Sequence, residues 1–311
     1  MSGPSQPVGS SNMPNRVILW TTYRCVSTAF TRSMGQIPGI EIWPEPFGYA
    51  NIAKINYELN EGIDLPTSYE GNEAAFDKAA HYIGKLVARK IPPEALSYES
   101  IRMVLETSTA ENVFVKDIGL AMQSRDLREF IPEGYRHSFL IRHPLLVYSS
   151  LHKANYNQLR NVNLLHADET NEDEFDLRRH KELLGDPTQF FSSLHDVWLY
   201  IKENIDPAPP IIDASELLEN PDVMMPKYCK AVGLPYTTQM LKWEPSLDVI
   251  QSWKWPFEIS QDTSYLTNVI SSTGFSKPQD LPSLDTVTSD VVQLAKEALP
   301  FYEKMYNNRL L

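Results

Sequence analysis

Val17-Ile18-Leu19-Trp20-Thr21-Thr22-Tyr23-Arg24-Cys25-Val26-Ser27-Thr28-Ala29-Phe30 passes from one backbone period to another. Val17 to Trp20 is a continuous apolar run of strand length, and Phe30, Met34 and Ile37 recur at helical spacing. Between them lies a short turn carrying Arg24, Ser27 and Thr28. A strand, a loop and a helix start, in that order, offer unpaired backbone N–H groups and the positive end of a helix dipole to an anion. With a guanidinium and two hydroxyls around them, the expected guest is a phosphate. The alternative is a plain strand-to-helix turn capped by Ser27.

The pattern G-x-x-x-x-G-K-[ST] is absent, so hydrolysis of ATP or GTP with Mg²⁺ is not the reading. Arg24-Cys25-Val26-Ser27-Thr28 instead resembles the 5′-phosphosulfate loop, roughly [KR]-S-G-[ST]-T, of the sulfotransferases. These use a P-loop architecture to bind the donor 3′-phosphoadenosine-5′-phosphosulfate (PAPS). The run is similar to a divergent branch reading R-S-V-S-T-A-F, and the resemblance implies that Arg24, Cys25, Val26, Ser27 and Thr28 hold the donor. Val26 stands where the family has glycine, so ordinary backbone dihedrals or weaker binding are expected. Ala29 replaces an aromatic that often stacks on adenine.

A second stretch, His137-Ser138-Phe139-Leu140-Ile141-Arg142-His143-Pro144, reads as a buried strand ending at Arg142, with Pro144 suited to a first helical turn. Two turns of that helix bring Ser150 beside the strand end. This resembles the family's 3′-phosphate motif R-x-P-x-x-x-x-x-S, with Arg142 and Ser150 in the matching positions. The planar fork of an arginine suits a phosphate. Two motifs in this order imply an α/β, three-layer P-loop-like fold with a central, mainly parallel sheet flanked by helices.

At 311 residues the chain is long enough for one large α/β domain. A single domain over residues 16–311 is expected, after a leader at residues 1–15 read as disordered from its Ser, Pro, Gly and Asn content. The net charge of -12 argues against nucleic acid or an anionic membrane as the main partner. Cys25 and Cys229 cannot build a disulfide framework, and no Cys/His cluster has zinc spacing, so no metal is expected. No run of eighteen apolar residues exists. Many family members are Golgi proteins with an N-terminal anchor; without one, a soluble cytoplasmic protein is expected, with a homodimer left open.

Along the chain, Gly39 to Trp43 reads as a second strand, followed by Pro44-Glu45-Pro46-Phe47. The prolines hold Glu45 in a non-helical turn past a strand end, where α/β folds place ligands. In bacterial trehalose-type sulfotransferases a glutamate in a comparable P-x-E-x-F turn is the proposed base, which implies the same role for Glu45. Asn112 to Asp117 is another strand. Cytosolic sulfotransferases end it in K-[TS]-H, and by that resemblance Lys116 faces the transferring group while Ile118 stands where their base would be. Glu45 and Asp117 are the candidates left for the base, and His143 and His152 are weaker ones. Glu73 to Lys90 and Phe190 to Glu203 read as packing helices. The acidic stretch within Asn161 to Gly185 reads as solvated or as a lid. Pro210 to Pro221 and Tyr228 to Leu234 resemble two further family segments, with Ala214 where relatives place an adenine-contacting tyrosine. Leu241 to Pro282 is long, irregular and rich in Trp and Pro, and Trp253, Trp255 and Phe47 are expected to line the acceptor pocket.

The resemblance implies metal-free, in-line transfer of a sulfuryl group from PAPS to a hydroxyl of a small-molecule acceptor, leaving 3′-phosphoadenosine-5′-phosphate (PAP). Arg24 and Lys116 would supply cations and Glu45 the base. The departures at Val26, Ala29, Ala214 and Ile118 motivate a second reading, a repurposed fold catalysing a dehydration or cyclisation. A third is a noncatalytic nucleotide-binding protein.

Overall fold

Asn15–Thr21 forms β1, whose side chains from Val17 to Trp20 are fully buried. A strand apolar on both faces needs parallel neighbours with helices above and below. The computed structural model, which describes residues 14–161, 163–257 and 267–311, supplies both. β2 (Glu41–Pro44), β3 (Asn112–Ile118), β4 (Arg136–Ile141) and β5 (Ile211–Asp213) complete a five-stranded sheet in the order β2-β3-β1-β4-β5, every pair parallel. Leu19 lies opposite Lys116 on one side and Ser138 on the other. The chain therefore leaves β1, β3 and β4 at the same sheet edge, with the order reversing at β1, where open α/β sheets bind ligands.

The helices are α1 (Ser27–Met34), α2 (Pro46–Glu61), α3 (Glu73–Val87), α4 (Tyr98–Thr107), α5 (Pro144–Asn161), α6 (Lys181–Leu184) and α7 (Phe190–Asn204), then α8 (Ala214–Glu219), α9 (Pro221–Val232), α10 (Leu247–Gln251), α11 (Thr267–Ser271) and α12 (Ser289–Tyr306). The fold is the expected one, a parallel sheet flanked by helices. The main core joins the sheet to α1, α5, α7, α9 and α12, and a smaller cluster under α2 and α3 gathers Ile52, Tyr57, Phe76, Ile83 and Phe257. No helix among the described residues is long and apolar enough to cross a membrane.

Three segments add to the sequence reading. Pro46–Glu61 is helical, a segment whose apolar residues are too mixed with Asn and Tyr to show a period. The acidic stretch after α5 is solvated at Asp168, Asp173 and Glu174, as expected, and is held down at Glu169, Phe175, Leu177 and His180, which are buried. Of the leader, residues 1–13 lie outside the described residues, and β1 already begins at Asn15, which pairs with Asn112. Part of the irregular Trp- and Pro-rich segment, residues 258–266, also lies outside them.

Candidate functional site

The loop between β1 and α1 is built from left-handed backbone. Arg24 has φ 61° and Val26 φ 66°, although neither is glycine. The expectation of ordinary dihedrals at Val26 fails because the turn into α1 demands αL there whatever the side chain, at a cost of about 1–3 kcal/mol per residue. Val26 is the N-cap, its carbonyl accepting from Phe30 N–H at 3.1 Å, and no side chain caps the helix. Ser27 is the first helical residue, so the alternative in which it caps a plain turn is not realised. The first amides of α1 remain available to an anion. Cys25 turns its thiol into the core, where burial pushes it up to about 11, so it anchors the loop as a neutral group.

The two stretches expected to hold phosphates meet. Arg24 Nε donates to Ser150 Oγ at 2.9 Å, and one Arg142 nitrogen donates to the Arg24 carbonyl at 2.9 Å while the other donates to Gln279 Oε1 at 2.8 Å. Proline suits the first turn of α5, and Ser150, two turns on, lines the same pocket as Arg142. Burial lowers the pKa of the Arg142 guanidinium, which has no carboxylate partner among the described residues, so an arriving phosphate would supply the missing countercharge. The enclosed space is about 420 Å³ and is lined by Arg24, Ser27, Thr28, Glu45, Arg142 and Lys277, among others. A second opening of about 610 Å³ shares Arg24, Ser150 and Gln279. Lys277 was missed in the sequence; it sits in an irregular stretch with no period or motif to single it out. It supplies a third cation to a pocket whose only carboxylate, among the described residues, is Glu45.

Glu45 is in the αL region, with φ 55°, as the N-cap of α2, and its N–H donates to the Lys116 carbonyl at 2.6 Å. Its carboxylate is ion-paired with Lys116 Nζ. Lys116 is nearly buried behind Glu45 and does not line the pocket, so it braces the carboxylate rather than facing the lumen. Burial pushes the Lys116 ammonium down to about 7, against the pull of neighbouring Asp117. Asp117 serves the fold. Its oxygens accept from Phe47 N–H, Gly48 N–H and Ile118 N–H, each at 2.8 Å, fixing the first turn of α2. A Cβ at Gly48 would lie 3.4 Å from Asp117 Oδ1 and 3.2 Å from Glu45 Cβ, so the small residue allows this close approach.

The other candidate bases are committed elsewhere. His143 Nδ1 accepts from Leu145 N–H at 3.3 Å, and His152 Nε2 lies 3.0 Å from the Phe175 carbonyl. Neither lines the pocket around Glu45. Phe47 is also corrected: it is fully buried against Tyr98, ring centroids 5.5 Å apart, because the first turn of α2 directs it into the core. Trp253 is 4% exposed and stacks on Trp255 at 5.8 Å. Only Trp255 reaches open space, a cavity of about 730 Å³ shared with Trp43, Pro46, Tyr69, Glu99 and Lys254. Pro46 borders this cavity and Glu45 the loop pocket, so consecutive residues separate the two spaces.

A family model described as a sulfotransferase domain matches residues 207–309, which hold β5, α8, α9 and the closing helix α12. Over this C-terminal part the chain resembles a sulfotransferase domain. It is 24% identical over 284 residues to the "Branched-chain-amino-acid aminotransferase-like protein 2" of Arabidopsis thaliana; the match covers 91% of this chain, which spans 40% of the relative's length. The sulfotransferase domain of the olefin synthase of Synechococcus PCC 7002 superposes with a TM-score of 0.46 at 13% identity, covering 94% of this chain and 98% of that one. The sulfotransferase domain of the curacin biosynthetic pathway superposes at 0.42 and 12%, covering 92% and 98%.

Proposed function

We propose that this chain transfers a sulfuryl group from PAPS to a hydroxyl of a small-molecule acceptor. The observation that carries the proposal is the convergence of Arg24, Ser150 and Arg142 on an uncapped helix N-terminus with Glu45 at its border. The residues fit the donor. The amides of α1 with Ser27, Thr28 and Arg24 would hold its 5′ end, Arg142 and Ser150 its 3′-phosphate, and Lys277 adds charge at the rim. Bound PAPS would supply the sulfuryl group. Arg24 and the α1 amides would stabilise negative charge growing beside them, as preorganised donors do. Glu45, oriented by Lys116, would accept the proton of the acceptor hydroxyl. The Trp255 cavity, next to Glu45 through Pro46, would take the acceptor's apolar body.

Ile118 in the core and the engaged fork of Arg142 favour a second reading, the same fold repurposed for dehydration or cyclisation of a metabolite. Calorimetric titration with PAP in the absence of metal, beside ATP with Mg²⁺, separates the two. Binding of PAP that Arg142→Ala abolishes is the expected result. A folded sample that takes up no PAP rules out sulfuryl transfer and moves the weight to the second reading.

A further inference from the structure

The turn after α5 gathers three groups that the donor pocket does not use. His166, Glu169 and His180 bring one ring nitrogen, one carboxylate oxygen and another ring nitrogen within 4.8 Å of one another. Read by spacing, these residues show no zinc signature; the packing of the turn assembles them. We propose that they form a binding site for a divalent transition metal, zinc by preference, which clips this turn closed.

The donor set argues for it. Two imidazoles and a carboxylate are the ligands of borderline divalent ions, and a three-ligand site leaves a fourth position for water. Glu169 and His180 have side chains 0% and 1% exposed, so they meet in an enclosed place. His166 is exposed and stands at the mouth, its ring 4.7 Å from that of His180, which leaves a path for an ion.

The surroundings orient the ligands as metal sites require. His180 Nδ1 lies 3.1 Å from Glu182 Oε1, which leaves Nε2 directed inward, 2.7 Å from Glu169 Oε2. A carboxylate behind a ligating histidine fixes its tautomer and raises its basicity. Glu169 is held in turn, accepting from His166 N–H at 3.0 Å and from Asp176 N–H at 3.3 Å. Arg179, the cation nearest Glu169 Oε1 at 3.6 Å, is forked onto Asp168 at 2.9 and 3.0 Å. Phe175 stacks on His180 at 4.9 Å and covers the site with apolar surface.

The ion would close the loop from His166 to His180. That loop packs on α5 through the Phe175 carbonyl and His152, and on α12 through Leu177 N–H and Asp290, 3.0 Å apart. Because α5 also carries Ser150, the clip would support the helix that holds one side of the donor pocket. Binding of the ion would stabilise the fold by mass action.

The test uses the full chain stripped with a chelator, titrated with Zn²⁺ against a chromophoric competitor, and with Co²⁺ followed by its visible absorption. One zinc per chain, a raised melting temperature and a cobalt spectrum of low coordination number are expected. His166→Ala, which removes an exposed side chain, should weaken zinc binding at least tenfold and leave the melting temperature in chelator unchanged. Glu182→Gln should weaken it by about 10–100-fold. A folded wild type that binds no zinc overturns the site, as does binding undiminished by His166→Ala and Glu169→Gln, which would mark adventitious surface uptake. PAP titration of the same stripped sample keeps this outcome distinct from that of the donor pocket.

Discussion

Arg24 Nε donates a hydrogen bond of 2.9 Å to Ser150 Oγ across 126 residues of sequence. One residue belongs to the loop after β1 and the other to α5, so the bond makes one surface of two motifs. Arg24 also offers charge, whereas Ser150 only orients it and adds one donor. Hydrogen bonds to charged groups are worth about 1.5–3 kcal/mol. Arg24→Ala should therefore weaken PAP about 10–150-fold and Ser150→Ala about tenfold. The double variant should lose less than the sum, because both act on one contact. Calorimetry on the four proteins checks this; strict additivity would mean that the bond plays no part in binding.

Glu45 and Lys116 form the other pair, on which the proposed chemistry rests. Glu45→Gln keeps the shape of the α2 N-cap and removes the proposed proton acceptor. Sulfuryl transfer to a phenolic acceptor should fall about 10²–10⁴-fold, the range for loss of a general base. PAP affinity should stay within about twofold, since the anion-binding groups are untouched. Turnover of the Glu45→Gln variant at the wild-type rate would remove Glu45 from the mechanism.

Much of the fold was legible because it is written in local patterns. The apolar runs of β1, β3 and β4 and the Pro144 helix start could be read without tertiary knowledge. Arg142 and Ser150 were legible as a pair because two helical turns fix their relation. Phe47 was not: a ring after a turn looks the same whether α2 rotates it toward solvent or, as here, onto Tyr98. Lys277 and the cluster of His166, Glu169 and His180 depend on irregular backbone, whose course no period encodes. Lys116 was placed on the correct strand, but its burial behind Glu45 follows from the left-handed turn at Glu45, which sequence did not reveal.

The two aromatics give opposite phenotypes. Phe47→Ala opens a void beside Tyr98 and should cost about 3–5 kcal/mol of stability, measured by urea unfolding. Trp255→Ala trims a cavity wall instead. It should raise the acceptor KM and leave PAP affinity unchanged. If Phe47→Ala were stable with a raised acceptor KM, the ring would belong to the substrate after all.

His137 predicts an acid limit. Trp20 Nε1 donates to His137 Nδ1 at 3.0 Å between β1 and β4, and burial pushes the imidazole down to about 3. The folded-state value lies below the unfolded one near 6.5, so between these values the unfolded chain binds the extra proton. Stability from this group is complete above pH 6.5 or so and is lost as pH falls toward 3. Melting temperatures from pH 7 to 4 should fall more steeply for wild type than for His137→Gln, which keeps an acceptor for Trp20 and does not titrate. Parallel curves would show that another group governs acid unfolding.

Val26 tests whether backbone strain has been retained at the loop. A β-branched residue with φ 66° costs about 1–2 kcal/mol relative to glycine in the same conformation. Glycine in turn loses about 0.5–1 kcal/mol through the freedom of the unfolded chain, and gives up the partial packing of Val26 against the core. The terms nearly cancel, so Val26→Gly should change stability by less than about 1 kcal/mol, whereas a buried valine of β1 such as Val17 would suffer much more. Removing Cβ and its branches also lets an anion approach the amides of Ser27 and Thr28 more closely. Val26→Gly should accordingly bind PAP more tightly than wild type. Weaker binding would mean that the valine, by holding the loop in αL, preorganises the site rather than obstructing it.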